Sequence, residues 1–180
     1  MEAQTRMAQR DTTDVIASAA AGDEVAFRRL IAEYQEDMRR VCSYVLGESA
    51  LAEEATQAAW VVAWKKVGSV RDPANLRPWL VSVAVNEAKQ LLRKRRRRAE
   101  IEFTTDASGE PGGVDPATGV ASMDLRSALA RLDPDDRALL AMRYVAGFDS
   151  NELATATGIS PAGTRSRLKR LLDRLREDLD

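Results

Sequence analysis

"DSNELATATGISPAGTRSRLKRLLDRLRED", residues 149–178, holds two short helical patterns on either side of "TGIS". Asp149 and Glu152 stand at the spacing of a capping box, so a helix starts there. Gly158 ends it, because glycine accepts the left-handed backbone that closes a helix. Ser160 then caps a second helix, with Pro161 at its first position. Two helices joined through a tight glycine turn form the pattern of a helix-turn-helix. The second of them has two distinct sides. Thr164, Leu168, Leu171, Leu172, Leu175 and Leu179 recur at helical spacing and face a core. Ser166, Lys169 and Arg170 lie opposite, flanked by Arg165 and Arg167. Basic and hydroxyl groups thus gather near the N-terminal half, the part that a recognition helix inserts into the major groove. Arginine grips guanine at two atoms, and serine or lysine takes a base edge or a phosphate.

Upstream, "DPDDRALLAMRYVAG" repeats the same grammar. Asp133 caps, Pro134 opens, acids fill the first turn and Gly147 closes. "MDLRSALARL" before it is short and amphipathic. Residues 99–121 change character. Gly, Pro, Ser and Thr accumulate, and the charges are all acidic: Glu100, Glu102, Asp106, Glu110 and Asp115. The composition predicts a linker too poor in apolar residues to fold alone.

The opposite charge sits just ahead of it. Arg93 to Arg98 are six basic residues in a row, in a chain whose formal net charge is −1. They end a helical pattern, "RDPANLRPWLVSVAVNEAKQLLRKRRRR", which Asp72-Pro73 or Asn75 starts. Leu80, Val83, Ala84, Ala88 and Leu91 form its inner stripe. Ser82, Asn86, Lys89 and Arg93 recur on the other side, at i, i+4, i+7 and i+11. Asparagine offers hydrogen bonds to a base, while lysine and arginine suit phosphates. Trp79, at the start of this helix, fits core packing as well as stacking on a base. Earlier still, Phe27, Leu30, Ile31, Tyr34, Met38, Val41, Cys42 and Val45 make one buried stripe between a cap at Asp23 and a stop at Gly47. A further helix, "LAEEATQAAWVVAWKKV", places Trp60 and Trp64 one turn apart. No stretch of this half alternates with period two for long enough to form a strand, so the fold class is all-α: two small helical domains joined by an acidic linker. Residues 1–19 read as a polar tail.

Composition narrows the chemistry. The 180 residues carry 44% hydrophobic and 31% charged side chains, which is enough apolar content for a core. With one cysteine and no histidine, there is no internal disulfide, no thiolate metal cluster, no His-ligated zinc and no histidine-based nucleophilic triad. Gly-rich phosphate loops of the nucleotide-binding types are missing. The chain is therefore expected to be a non-enzyme, without cofactor or metal. The sequence contains no membrane-length apolar run, and its first residues lack a secretory signal, so a cytoplasmic location is expected. Positive faces on two separate helical units bind a polyanion through counterion release.

"RPWLVSVAV" running into "NEAKQLLRKRRRR" closely resembles the promoter-melting segment of the extracytoplasmic-function sigma factors of bacterial RNA polymerase. "LARLDPDDRALLAMRYVAGFDSNELATATGISPAGTRSRLKRLLDRLRE" resembles their region four. Order and spacing agree: region two at 20–98, linker at 99–121, region four at 122–180. The resemblance implies that region two binds the polymerase clamp and captures the minus-ten element as single strand. It implies that region four reads the minus-thirty-five element as duplex, and that an anti-sigma factor is a partner. By position, Ser82, Asn86, Lys89, Arg93, Arg95 and Arg96 fall on the minus-ten surface. Arg165, Ser166, Arg167, Lys169 and Arg170 fall on the minus-thirty-five surface, and Glu53, Glu54 and Gln57 on the clamp helix. There are departures. The clamp helix reads "EATQAAW" where the family is close to "DLVQETF", so Ala58 replaces an acid. Gln90 stands where an aspartate is common, and the Gly163-Thr164 pair comes one residue late. A stand-alone helix-turn-helix regulator explains 122–180 equally, but leaves the Ser82–Arg93 stripe without a purpose. A carboxylate nuclease finds only the adjacent Glu53 and Glu54, with no third ligand. A protein-binding adaptor would direct the basic face at an acidic partner.

Overall fold

The structure, a computed structural model, describes the backbone of residues 2–103 and 127–178 and the side chains of 11–99 and 127–178. Among these residues it is helical, with no strand. The first half comprises α1 (Glu2–Ala20), α2 (Glu24–Leu46), α3 (Ser49–Lys66) and α4 (Leu76–Phe103), with 3₁₀ turns at Val67–Ser69 and Pro73–Asn75 between α3 and α4. The second half comprises α5, described over 127–131, then α6 (Pro134–Tyr144), α7 (Ser150–Thr157) and α8 (Pro161–Glu177).

The local signals act as expected. Asp23 accepts from the amides of Val25 and Ala26 at the head of α2, and Gly47 ends it with φ 73°. Asp72 caps the 3₁₀ turn at Pro73–Asn75, which leads directly into α4. Asp133 accepts from the Asp136 amide at 2.9 Å and starts α6. The α7 capping box is complete: Asp149 accepts from the Glu152 amide, and Glu152 accepts from the Asp149 amide, both at 2.9 Å. Gly158 has φ 71°, and Ser160 caps α8 through the Gly163 amide. Gly163 is needed for space. A Cβ there would lie 2.7 Å from Cγ2 of Ile159, inside the turn between the two helices.

The α2 stripe faces the core, with Met38, Val41, Cys42 and Val45 fully enclosed and Ile31 and Tyr34 half-buried at its edge. Burial pushes the Cys42 thiol up to about 12, partly offset by a hydrogen bond from Thr56. Phe27 meets Trp60 and Trp64 edge-on, with ring centroids 5.6 and 4.8 Å away. Trp79 is half-buried against the core.

Two boundaries differ from the sequence reading. Most of the stretch read as a polar tail is α1, whose Ile16 and Ala19 enter the core against α2 and the first 3₁₀ turn. One apolar turn is enough to seat a helix that is otherwise polar. The stretch read as linker begins inside α4, which runs five residues past Arg98 to Phe103. The arginine side chains project outward, so their repulsion is screened by water and does not end the helix. The remainder of that expected linker, 104–121, lies outside the described residues, as does Leu179.

The halves touch: α2 packs on α6, and α4 packs on α7 and α6. Val81 and Val85 are therefore 1% and 5% exposed, although they lie off the inner stripe of α4.

Candidate nucleic-acid interface

α8 shows its basic side to solvent. Arg165, Ser166, Lys169 and Arg170 are exposed, and none of them makes an ion pair among the described residues. Thr164 and Leu168 point the other way and are buried, which fixes the rotation of the helix. Arg167 behaves differently from its neighbours. It turns inward to the buried carboxylate of Asp136, with Nη2 at 2.6 Å and Nε at 2.8 Å from Oδ1. Arg174 holds the other oxygen of the same acid at 2.9 Å. Asp136 is 5% exposed, so it is a buried charge made tolerable by two guanidinium partners. Through them α6 anchors α8.

The stripe on α4 is more enclosed. Ser82 donates to the Trp79 carbonyl at 2.7 Å and is half-buried. Asn86 is exposed at the mouth of a cavity of about 310 Å³ between α4 and the second half. Lys89 Nζ lies 2.8 Å from Asp135 Oδ1 at the start of α6. Past this point Leu91 and Leu92 still pack against the core, Arg93 and Arg96 are exposed, and Arg95 reaches Glu48 at 2.9 Å. The structure thus places Ser82, Asn86, Lys89, Arg93 and the arginines that follow on α4, and Arg165 to Arg170 on a separate helix.

Glu53, Glu54 and Gln57 are all exposed on α3, and Gln57 Nε2 contacts Glu53 Oε1 at 3.5 Å. Their face continues further than the sequence reading took it. Val61 and Trp64 follow Glu53 and Gln57 at i, i+4, i+8 and i+11, and both are exposed, at 58% and 39%. A groove of about 480 Å³ runs beside them over Phe27, Ile31 and Trp60. The signal was Val61, an apolar residue about 100° around the helix from buried Trp60. Among the described residues no group of three or more acidic or cysteine side chains is placed to hold a metal, and no helix is long and apolar enough to cross a membrane.

Comparison with known proteins fits this two-part layout. Residues 30–98 match Sigma-70 region 2, and residues 122–175 match Sigma-70, region 4. The chain is 29% identical to the RNA polymerase sigma factor CarQ of Myxococcus xanthus, over 87% of this chain and 90% of that protein. It is 31% identical to the ECF RNA polymerase sigma factor SigL of Mycobacterium tuberculosis, over 85% of this chain and 88% of the relative. A probable RNA polymerase sigma factor of Xanthomonas campestris, RfaY, is 29% identical, and the match spans 42% of that longer protein. Among solved structures, the fold resembles CnrH in complex with the cytosolic domain of CnrY, with a TM-score of 0.66 and 23% identity over 92% of this chain and 95% of that one. It resembles equally the sigma factor RpoE bound to the anti-sigma factor NepR from Bartonella quintana, with a TM-score of 0.66 and 24% identity over 85% of this chain and 96% of the neighbour. Both region matches, in this order along the chain, and the 31% identity over most of both chains make the conclusion plain: the chain belongs to the extracytoplasmic-function sigma factors of bacterial RNA polymerase.

Proposed function

We propose that the chain is an alternative sigma factor that divides promoter recognition between α4 and α8. As a sigma factor it joins core polymerase and directs it to promoters. The finer assignment is that α4 receives the melted minus-ten strand through Asn86, Lys89 and Arg93, with Ser82 lining the approach and Arg95 and Arg96 on the phosphates. α8 reads the minus-thirty-five duplex through Arg165, Ser166, Lys169 and Arg170. Arg167, tied to Asp136, supports α8 in this state and reaches DNA only by leaving that carboxylate. The α3 face of Glu53, Glu54 and Gln57, extended by Val61 and Trp64, meets the polymerase clamp. The single observation that carries the reading is the pair of basic faces on separate helical units, each opposite its own helix's apolar stripe. The protein acts by binding in the cytoplasm, where polymerase and DNA are, and an anti-sigma factor is a partner.

The test is transcription with core polymerase on duplex and pre-melted promoters selected from a random pool. Arg170→Ala removes a base contact, worth about 1–3 kcal/mol. It should weaken promoter binding about tenfold or more on duplex and leave pre-melted templates nearly unaffected. Asn86→Ala should instead impair strand opening, read by permanganate reactivity. Equal loss on every template would break the division of labour. Tight, sequence-specific duplex binding by the chain alone, with no transcription, would favour a stand-alone regulator.

A further inference from the structure

The cations of α8 fall into three groups. Arg165, Lys169 and Arg170 make no ion pair among the described residues. Arg176 pairs with Asp173 at 3.2 Å on the same helix. Arg167 and Arg174, two turns apart on one side of α8, share Asp136 of α6. That sharing uses both carboxylate oxygens. Arg167 places Nε at 2.8 Å and Nη2 at 2.6 Å from Oδ1, and Arg174 places Nη2 at 2.9 Å from Oδ2.

The arrangement is hard to exchange for DNA. Asp136 is buried in the first turn of α6, where the amide end of the helix favours an anion. Drawing a guanidinium away leaves that charge short of a partner inside the protein, which costs far more than parting a surface pair. Yet Arg167 stands where an arginine could serve DNA. It is three residues from Arg170, about 60° around the helix, so a free side chain there reaches the phosphates beside the groove. Arg174 lies two turns further on, beyond the half of a recognition helix that enters the groove.

We propose that Asp136 is a specificity-determining positioning residue: it withdraws Arg167 from the duplex and fixes the rotation of α8, so that Arg165, Ser166, Lys169 and Arg170 alone read the minus-thirty-five element. This rests on the reading of α8 as the duplex face. A phosphate contact raises affinity for every sequence and distinguishes none. An arginine freed on this flank therefore strengthens binding to wrong sites. The selected site needs α8 in one rotation, and what it gains from the new contact it loses with that rotation.

The experiment uses holoenzyme assembled from core polymerase and the full chain. Affinity is measured across a salt series for a promoter duplex selected from a random pool, and for the same duplex with its minus-thirty-five element scrambled. Asp136→Asn, Arg167→Gln and the double variant are compared with the parent, each shown to be folded by circular dichroism. Asp136→Asn should bind the scrambled duplex more tightly. Its salt dependence should steepen by about one phosphate contact, roughly a 3.5-fold greater loss over a fourfold rise in salt. Its preference for the selected duplex should fall about tenfold, within the worth of one mismatched base pair. The double variant should lose the extra salt dependence. Arg167→Gln alone should keep the parent's slope, a measurement that stands even where Asp136→Asn fails to fold. A slope shallower by about one in Arg167→Gln would make that arginine a reader and overturn the proposal. A folded Asp136→Asn with the parent's slope and preference would do the same, since a mere support moves neither. So would capture of a single-stranded minus-ten oligonucleotide that rises in step with the scrambled duplex, because the added charge would then act everywhere. Failure of the α8 reading shows separately, as an Arg170→Ala holoenzyme with the parent's duplex affinity.

Discussion

α4 and α8 are both basic helices built on an apolar stripe, yet they meet their surroundings in opposite ways. On α8 the acid that balances the charge is buried beneath the helix: Asp136 holds Arg167 and Arg174 from below and leaves Arg165, Lys169 and Arg170 outside. On α4 the acid comes from above. Asp135, one residue earlier in the chain, caps Lys89 from the solvent side of the stripe. Neighbouring aspartates thus do different work, one as a support and one as a cover. A buried carboxylate with two guanidiniums fixes geometry, because removing either side strands a charge. A surface ion pair is worth about 0–1 kcal/mol and is screened by salt. The basic side of α8 is thus open to solvent, whereas Lys89 on α4 is covered by an ion pair of the weak, exposed kind.

The largest stability effect should come from breaking the support. Asp136→Ala removes three charge-assisted contacts and should destabilise the second half by about 2–3 kcal/mol, read by urea unfolding. The duplex face should loosen with it, while α2, α3 and α4 keep their packing. A cost under about 0.5 kcal/mol, the range of ordinary surface changes, would show that α8 is seated by its leucines alone. Next is Gly163→Ala, which sharpens the comparison by disturbing only the turn that sets α8 on α7. The added methyl group meets Ile159 at 2.7 Å, so the variant should cost about 1–2 kcal/mol and lower duplex affinity without changing oligonucleotide capture. The smallest effect belongs to the first half. Burial raises the Cys42 thiol above its ordinary value, so the unfolded chain releases that proton first. This contribution is complete below about pH 9 and is lost as pH climbs toward the folded value. From pH 9 to 10 the parent should lose about 1 kcal/mol more than Cys42→Ala does, in paired urea titrations. Parallel losses in the two would mean that the thiol is not enclosed.

The helices were legible because their signals are local. Asp23, Asp133, Asp149 and Ser160 each cap within three residues, and Gly47 and Gly158 stop within one. The stripes of α2 and α8 follow from spacing alone. The contacts between halves were not legible, since Arg77 meets partners 40, 69 and 75 residues away and no periodicity carries that. One trace was present. "LVSVAV" at 80–85 is apolar nearly all round, as expected of a helix covered on two sides. α1 was missed because residues 1–19 are polar for most of their length, and the residues that enter the core, Ile16 and Ala19, come only at the end of that stretch. The faces of α4 and α8 were visible as charge patterns, but the inward turn of Arg167 depends on a carboxylate 31 residues away.

The three tryptophans, Trp60, Trp64 and Trp79, all lie in the first half, two of them edge-on to Phe27. Tryptophan fluorescence, excited beyond the tyrosine band so that Tyr144 of α6 stays silent, therefore reports on α2, α3 and α4, whereas far-ultraviolet dichroism sees every helix. The molecule carries its own differential thermometer. Superimposed melting curves mean that the halves unfold as one cooperative unit, and separated curves mean that they melt independently. The gap between the two signals measures the coupling across the interface without a label or a partner.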